Sequence, residues 1–165
     1  MRQLQRHEFQ HFLNVATITG ETSNPIWKQE GEGVESLSVT FSSTKDTFKS
    51  IIRSTADTVF QGYEITSSIS GKRCYEGEDI YEYLDNLRRK AISGQTQLIE
   101  IDTAKTNGTA GNYLAVKYNV LITITEWLGD NATISYDIDY SDPKTGIATI
   151  SGSTITFTED SNTSL

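Results

Sequence analysis

Along most of this chain apolar residues recur at every second position, and in one stretch only they recur at every third and fourth. The first period is that of a strand with one buried face, the second that of an amphipathic helix. "ESLSVTF" (35–41) sets Leu37, Val39 and Phe41 against Ser36, Ser38 and Thr40. "DTVFQGYEITSSIS" puts Val59, Tyr63 and Ile65 on one side and Phe60, Glu64 and Thr66 on the other, with Gly62 marking a bulge. "TQLIEID" is a further strand, and after the loop "TAKTNGTAGN" comes the long run "YLAVKYNVLITITEWLG". That run has Val116, Tyr118, Val120, Ile122, Ile124 and Glu126 on one side and Lys117, Asn119, Leu121, Thr123, Thr125 and Trp127 on the other. "GDN" turns the chain into "ATISYDIDY", where Ala132, Ile134, Tyr136, Ile138 and Tyr140 face one way and Thr133, Ser135, Asp137 and Asp139 the other. "SDPKTG" reads as a turn and "IATISGSTITFT" as a last strand.

The helical stretch is "EGEDIYEYLDNLRRKAISG", in which Ile80, Tyr83, Leu84, Leu87 and Ala91 share one face. Glu78, Asp79 and Glu82 near its start and Arg88, Arg89 and Lys90 in its last turn suit the helix dipole, and Gly94 can close it. The spacing predicts a helix over about residues 78–91, with Ile80, Tyr83, Leu84 and Leu87 packed on a sheet.

Residues 1–34 hold a short amphipathic start and then turn formers around Trp27, and so read as an N-terminal arm. Residues 35–158 form the β domain, broken by a polar loop over 43–56, and 159–165 form a polar tail. The predicted fold is mainly β, an antiparallel β-sandwich or barrel-like sheet with one packed helix, at the margin of α+β.

Charge narrows the function. Acidic residues outnumber basic ones 22 to 14, for a formal net charge of −8, which disfavours tight nucleic-acid binding. Cys74 is the only cysteine, so no internal disulfide is possible, as expected for folding in a reducing cytoplasm. An apolar run of about 18 residues and a secretory leader are both absent from the sequence, so no membrane role is expected.

"HEFQH" (7–11) spells the H-E-x-x-H pattern, in which two histidines on one helix face bind zinc and the glutamate polarises a metal-bound water. Only two histidines and one cysteine are available, so a third ligand would be a carboxylate from a loop. The competing reading is a short amphipathic segment whose Leu4, Phe9, Phe12, Leu13 and Val15 seek a surface. The chain shows no phosphate-cradling glycine loop and no Ser/His/Asp set, and the pairs Asp137/Asp139 and Glu78/Asp79 suit a solvated strand face and a helix start. No catalytic residue, metal ligand or cofactor is expected.

Three stretches taken together carry a family resemblance. "NPIWKQEGEGVESLSVTFSS" has a Pro-x-Trp step, a glycine-punctuated link and an alternating strand. "YEGEDIYEYLDNLRRKAISG" is an aromatic helix ending in a basic run, and "TITEWLGDNATISYDIDYSDPKTGIATI" pairs an aromatic and a turn with a strand rich in Ser, Tyr and Ile. In order and spacing, over about residues 12–158, the chain resembles the major tail (tail tube) proteins of siphovirus-type phages of Gram-positive bacteria. The order also suits the tube proteins of contractile tails and secretion tubes.

The resemblance implies a non-enzymatic virion protein, assembled in the host cytoplasm as hexameric rings that stack into a hollow conduit for genome ejection. Implied partners are further copies of the chain, a tape measure, a tail terminator and a distal tail protein, with DNA passing through without sticking. On that reading Asp137, Asp139 and Glu126 line the lumen, against an ordinary solvent face as the alternative. Phe9, Phe12 and Trp27 of the arm and Lys45, Phe48, Lys49 and Arg53 of the loop contact neighbouring subunits, against packing of the aromatics on their own core. The rival functions are a monomeric β-sandwich binding or decoration module of a virion, and a zinc metallopeptidase through His7, Glu8 and His11.

Overall fold

The computed structural model describes residues 3–49 and 55–160. Its strands are β1 (Phe9–Asn14), β2 (Trp27–Glu30), β3 (Thr40–Phe48), β4 (Asp57–Arg73), β5 (Gly94–Thr106), β6 (Asn112–Leu128), β7 (Thr133–Ser151) and β8 (Thr154–Glu159). The helix α1 (Asp79–Lys90) lies between β4 and β5, and short 3-10 turns span Arg6–Glu8 and Gly129–Asn131. The strands form one antiparallel sheet in the order β2-β1-β5-β6-β7-β4-β3, with β8 paired to β7. The mainly β fold with one helix is as the sequence predicts. The strands make one continuous sheet that does not close, with a core on each face.

β7 is the spine. β6 runs along one edge of it, while the other edge takes β4 beside Thr133–Tyr140 and β8 beside Gly146–Ser151. Between these halves Asp142 has a φ of 50°, and two residues of β7, Asp142 and Pro143, sit opposite one of β6. The segment predicted as a turn over "SDPKTG" is therefore a bulge within one strand. Pro143 has no N–H to give to a ladder, and a bulge is where a sheet tolerates that. The bulge exchanges faces: Ile134, Tyr136 and Ile138 belong to the core under α1, and Ala148 and Ile150 to the core on the other side.

The helix is built as its sequence predicts. The Glu78 carboxylate caps it, accepting from the backbone N–H groups of Ile80 and Tyr81. Ile80, Tyr83, Leu84 and Leu87 are buried against Leu98, Val120, Ile122, Ile134 and Ile69, each worth about 1.5–3 kcal/mol relative to exposure. Closure differs from expectation: Ala91 turns into the left-handed region (φ 53°), and its N–H meets the carbonyls of Leu87 and Arg88. Gly94 instead starts β5 under the helix, where a Cβ would lie 2.6 Å from the Tyr83 hydroxyl and 2.8 Å from Leu87 Cδ1.

Other boundaries shift. Leu37 and Val39 of "ESLSVTF" pack half-buried on the helix-side core ahead of the ladder, and β3 begins only at Thr40. Ser43–Phe48, expected in a loop, is strand paired to β4. "IATISGSTITFT" is a hairpin, with Gly152–Ser153 turning the end of β7 into β8. Within the stretch 1–34, β1 and β2 are strands of the sheet, joined through Phe9–Leu13 to β5.

Candidate assembly surfaces

The register brings Asp137, Asp139 and Glu126 onto one face, the face turned away from α1. Asp137 lies between Ser68 of β4 and Thr123 of β6, and Asp139 between Thr66 and Leu121. Strict alternation would send Glu126 to the helix side. A bulge between Ile124 and Glu126 instead places Glu126 opposite Ser135, on the acidic face, and Trp127 opposite Ile134 on the helix side. There the Arg88 guanidinium stands 4.5 Å over the Trp127 ring.

The same face gathers acids that pattern reading did not single out. Glu64 lies opposite Ser42 beyond Thr66, the Glu21 carboxylate accepts from Gln97 Nε2 at 3.1 Å, and Asp142 accepts from Asn119 Nδ2 at 3.3 Å. Arg73, at the end of β4, is turned to Glu35 at 3.6 Å. Lys117 and Lys144 share this face, Lys144 standing 3.8 Å from Asp142, so the negative potential that phosphate backbones avoid over a Debye length of about 8–10 Å belongs to the part around Asp137, Asp139 and Glu126.

The β3–β4 hairpin carries the second surface. Every residue of β3 is exposed. A bulge at Gln61–Gly62 (Gly62 φ 141°) breaks the expected alternation, so Phe60 joins Tyr63 and Phe41 on one face, while Val59 goes with Glu64 on the other. Tyr63 meets Phe60 edge-on at 4.9 Å between centroids and Phe41 at 5.8 Å. Phe41, Phe60 and Tyr63 are 54%, 54% and 60% exposed, an uncovered aromatic cluster continuous with the helix-side face. Lys45, Phe48 and Lys49 are exposed on this hairpin, and Arg53 lies outside the described residues.

The N-terminal aromatics divide. Phe12 and Trp27 pack half-buried on the core of Ile99, Ile101, Ala115, Ala148 and Ile155 in their own chain, while Phe9 is exposed beside Asp102. "HEFQH" does not form a helix: His7 and Glu8 close a 3-10 turn and His11 lies in β1, with Nε2 3.7 Å from Glu100 Oε2. The i, i+4 helix face that the zinc motif needs is therefore not built, and among the described residues no group of three or more His, Cys, Asp or Glu is placed to hold a metal. No helix of the described residues is long and apolar enough to cross a membrane.

Beneath the helix start lies a buried polar cluster that the sequence did not announce. The Lys72 ammonium, fully buried, donates to the Glu32 carbonyl and sits 3.2 Å from the Glu78 carboxylate. Tyr136 donates to Glu30 at 2.6 Å. Burial pushes the Glu30 carboxyl up, against the pull of the Tyr136 hydroxyl and the Lys72 charge. A bulge between Ile69 and Lys72 turns Lys72 inward. Its role is to tie the 31–39 segment, β4, β7 and the helix cap together.

No family model matches the chain, and no curated protein does. Among solved structures the chain is similar to one in the cryo-EM structure of the anti-feeding prophage (AFP) baseplate, 6-fold symmetrised, at 10% identity and a TM-score of 0.45, covering 88% of this chain and 96% of that one. A likeness that loose carries no argument about function.

Proposed function

We propose that this chain is a structural virion protein, a tail tube subunit that polymerises into stacked rings around a bore through which DNA passes. The observation that carries the reading is the β3–β4 hairpin, which lifts an aromatic cluster clear of the chain's own core. A soluble chain that exposes such a cluster on a long strand pair has a use for it in association. The end strands β2 and β3 leave backbone edges open for pairing. The acidic face of Asp137, Asp139 and Glu126 supplies a surface past which DNA moves without adhering. The ordered resemblance of three segments to tail tube proteins supports the same conclusion, and the number of six subunits per ring comes from that resemblance alone. Other tail proteins, namely a tape measure, a terminator and a distal tail protein, are then the partners at the ends and inside of the tube. No enzymatic step is assigned.

Negative-stain electron microscopy and light scattering over rising concentration test the reading. Hollow tubes or rings are expected. A chain that stays monomeric at millimolar concentration overturns the reading in favour of a binding or decoration module.

A further inference from the structure

The helix-side face of the sheet also carries a groove of about 360 Å³. Phe9, Leu114 and Val116 supply its apolar lining, and Glu100, Asp102 and Asp160 its carboxylates. The register explains the arrangement: Phe9 pairs with Asp102, Asp102 with Leu114, and Glu100 with Val116, so all project from one face. Phe9 and Leu114 stay exposed. One cation, Lys105, also lines the groove, 3.2 Å from Asp102, and His11 is 3.7 Å from Glu100. Burial and the neighbouring Asp102 charge push the Glu100 carboxyl up, and a cover that brings a positive charge beside these two carboxylates complements them.

The hairpin meets that description. Among the paired residues its aromatic face carries Phe41, Phe60, Tyr63 and a single charged residue, Lys45, which lies opposite Phe60; Asp46 and Glu64 point the other way. Aromatic side chains bury about 150–250 Å² each. With the three rings a little over half uncovered, the face presents on the order of 300 Å² of aromatic surface, the size of the largest apolar patch on a typical monomer. In sheet order the hairpin is rooted at the β3 end, and the groove spans β1, β5 and β6 toward the other end. Both surfaces are uncovered in the single chain.

We propose that the hairpin of one copy docks, aromatic face down, into the groove of a second copy, with Lys45 brought beside Glu100 and Asp102. The contact is heterologous, so each copy still offers a free hairpin and a free groove, and the association propagates. This pairing rests on the assembly reading above and names the two surfaces that meet.

Cross-linking tests it in the full chain with Cys74→Ser as background. Phe60→Cys chains mixed with Leu114→Cys chains and treated with a short bismaleimide should give a dimer band. Glu64→Cys, on the opposite hairpin face, should give at least tenfold less with the same partner. Charge exchange gives a second readout: Lys45→Glu should raise the concentration needed for assembly at least tenfold, and adding Glu100→Lys to the same chain should restore it. Polymer that forms without the Phe60–Leu114 link, and that is indifferent to Lys45→Glu, overturns the docking while leaving the tube reading standing. A specific link in species that never become tubes overturns the tube reading and leaves the docking. Monomer with no link overturns both.

Discussion

The hydroxyl of Tyr136 donates a 2.6 Å hydrogen bond to Oε1 of Glu30, joining the start of β7 to the end of β2 in the buried interior. Removing a donor from a buried carboxyl leaves that group unsatisfied, so Tyr136→Phe should cost about 1–3 kcal/mol in urea unfolding. Lys72→Ala should cost more, about 3–5 kcal/mol, because it leaves Glu78 and Glu30 without their buried counter-charge. Equal, small losses in the two variants would remove the cluster from the list of stabilising features.

The same cluster sets a pH signature. Burial raises the Glu30 carboxyl above its ordinary value of 4.5, so the folded chain holds that proton to higher pH than the unfolded chain. The contribution is complete below about 4.5 and is lost as pH rises through the folded pKa. Glu30→Gln keeps an acceptor for Tyr136 without the titration. Its Tm relative to the parent should therefore rise between pH 4 and pH 7. Asp85 has the opposite sign: burial works against its charge, but hydrogen bonds from Arg89 and Arg88 hold its carboxyl below the usual range. Asp85→Asn should lose most relative stability at pH 7, and the deficit should shrink as the parent's own carboxylate is protonated in acid.

Gly94→Ala tests the helix seat. Gly94 has no positive φ to defend, and its constraint is the approach of Tyr83 and Leu87. The added methyl should force α1 outward at a cost of about 1–3 kcal/mol, measured by urea unfolding. Burial holds the Tyr83 hydroxyl up at about 12, so the ultraviolet titration of that phenol should move down if the seat opens.

Serine at Phe41, Phe60 and Tyr63 separates folding from assembly. These rings are exposed in the single chain, so each change should alter monomer stability by no more than about 1.5 kcal/mol, the scale of a ring–ring contact. Scattering at high concentration should fall to that of a monomer. Unchanged polymerisation would move the association surface elsewhere.

Reversing Asp137, Asp139 and Glu126 to lysine tests the acidic face. Parent polymer mixed with duplex DNA at low salt should leave the DNA free. The reversed polymer should retain it, and rising salt should release it with a steep log–log slope. Exclusion of DNA by both forms would remove the face from the bore.

The helix and the strands of β6 and the first half of β7 were legible because a single face of each is buried, which is the condition under which apolar spacing reports structure. β3 was not, since all its residues meet solvent and nothing selects an alternating pattern. The bulges at Gln61–Gly62, Ile69–Lys72, Ile124–Glu126 and Asp142–Pro143 each reverse the faces beyond them. Of these, Gly62 alone was read as a bulge from the sequence, although Gly71 and Pro143 are also residue types that suit one. That is why Phe60, Glu126 and Trp127 stand on faces opposite to those their spacing assigned, and why Lys72 lies inside the protein. The acidic face was legible in Asp137 and Asp139, which alternate with buried residues, but its other members depend on loops and bulges.

The bulge at Asp142–Pro143 makes β7 a strand with two reading frames. Upstream of it even-numbered residues face α1, and downstream they face the other core. Losing one residue there would leave Ile134–Tyr140 in place yet turn Ala148 and Ile150 out of their core, carrying the β8 pairing with them. Gaining one would do the same. The two halves of the sheet thus tolerate a length change at this point only in pairs of residues, which restore the alternation on which both cores depend.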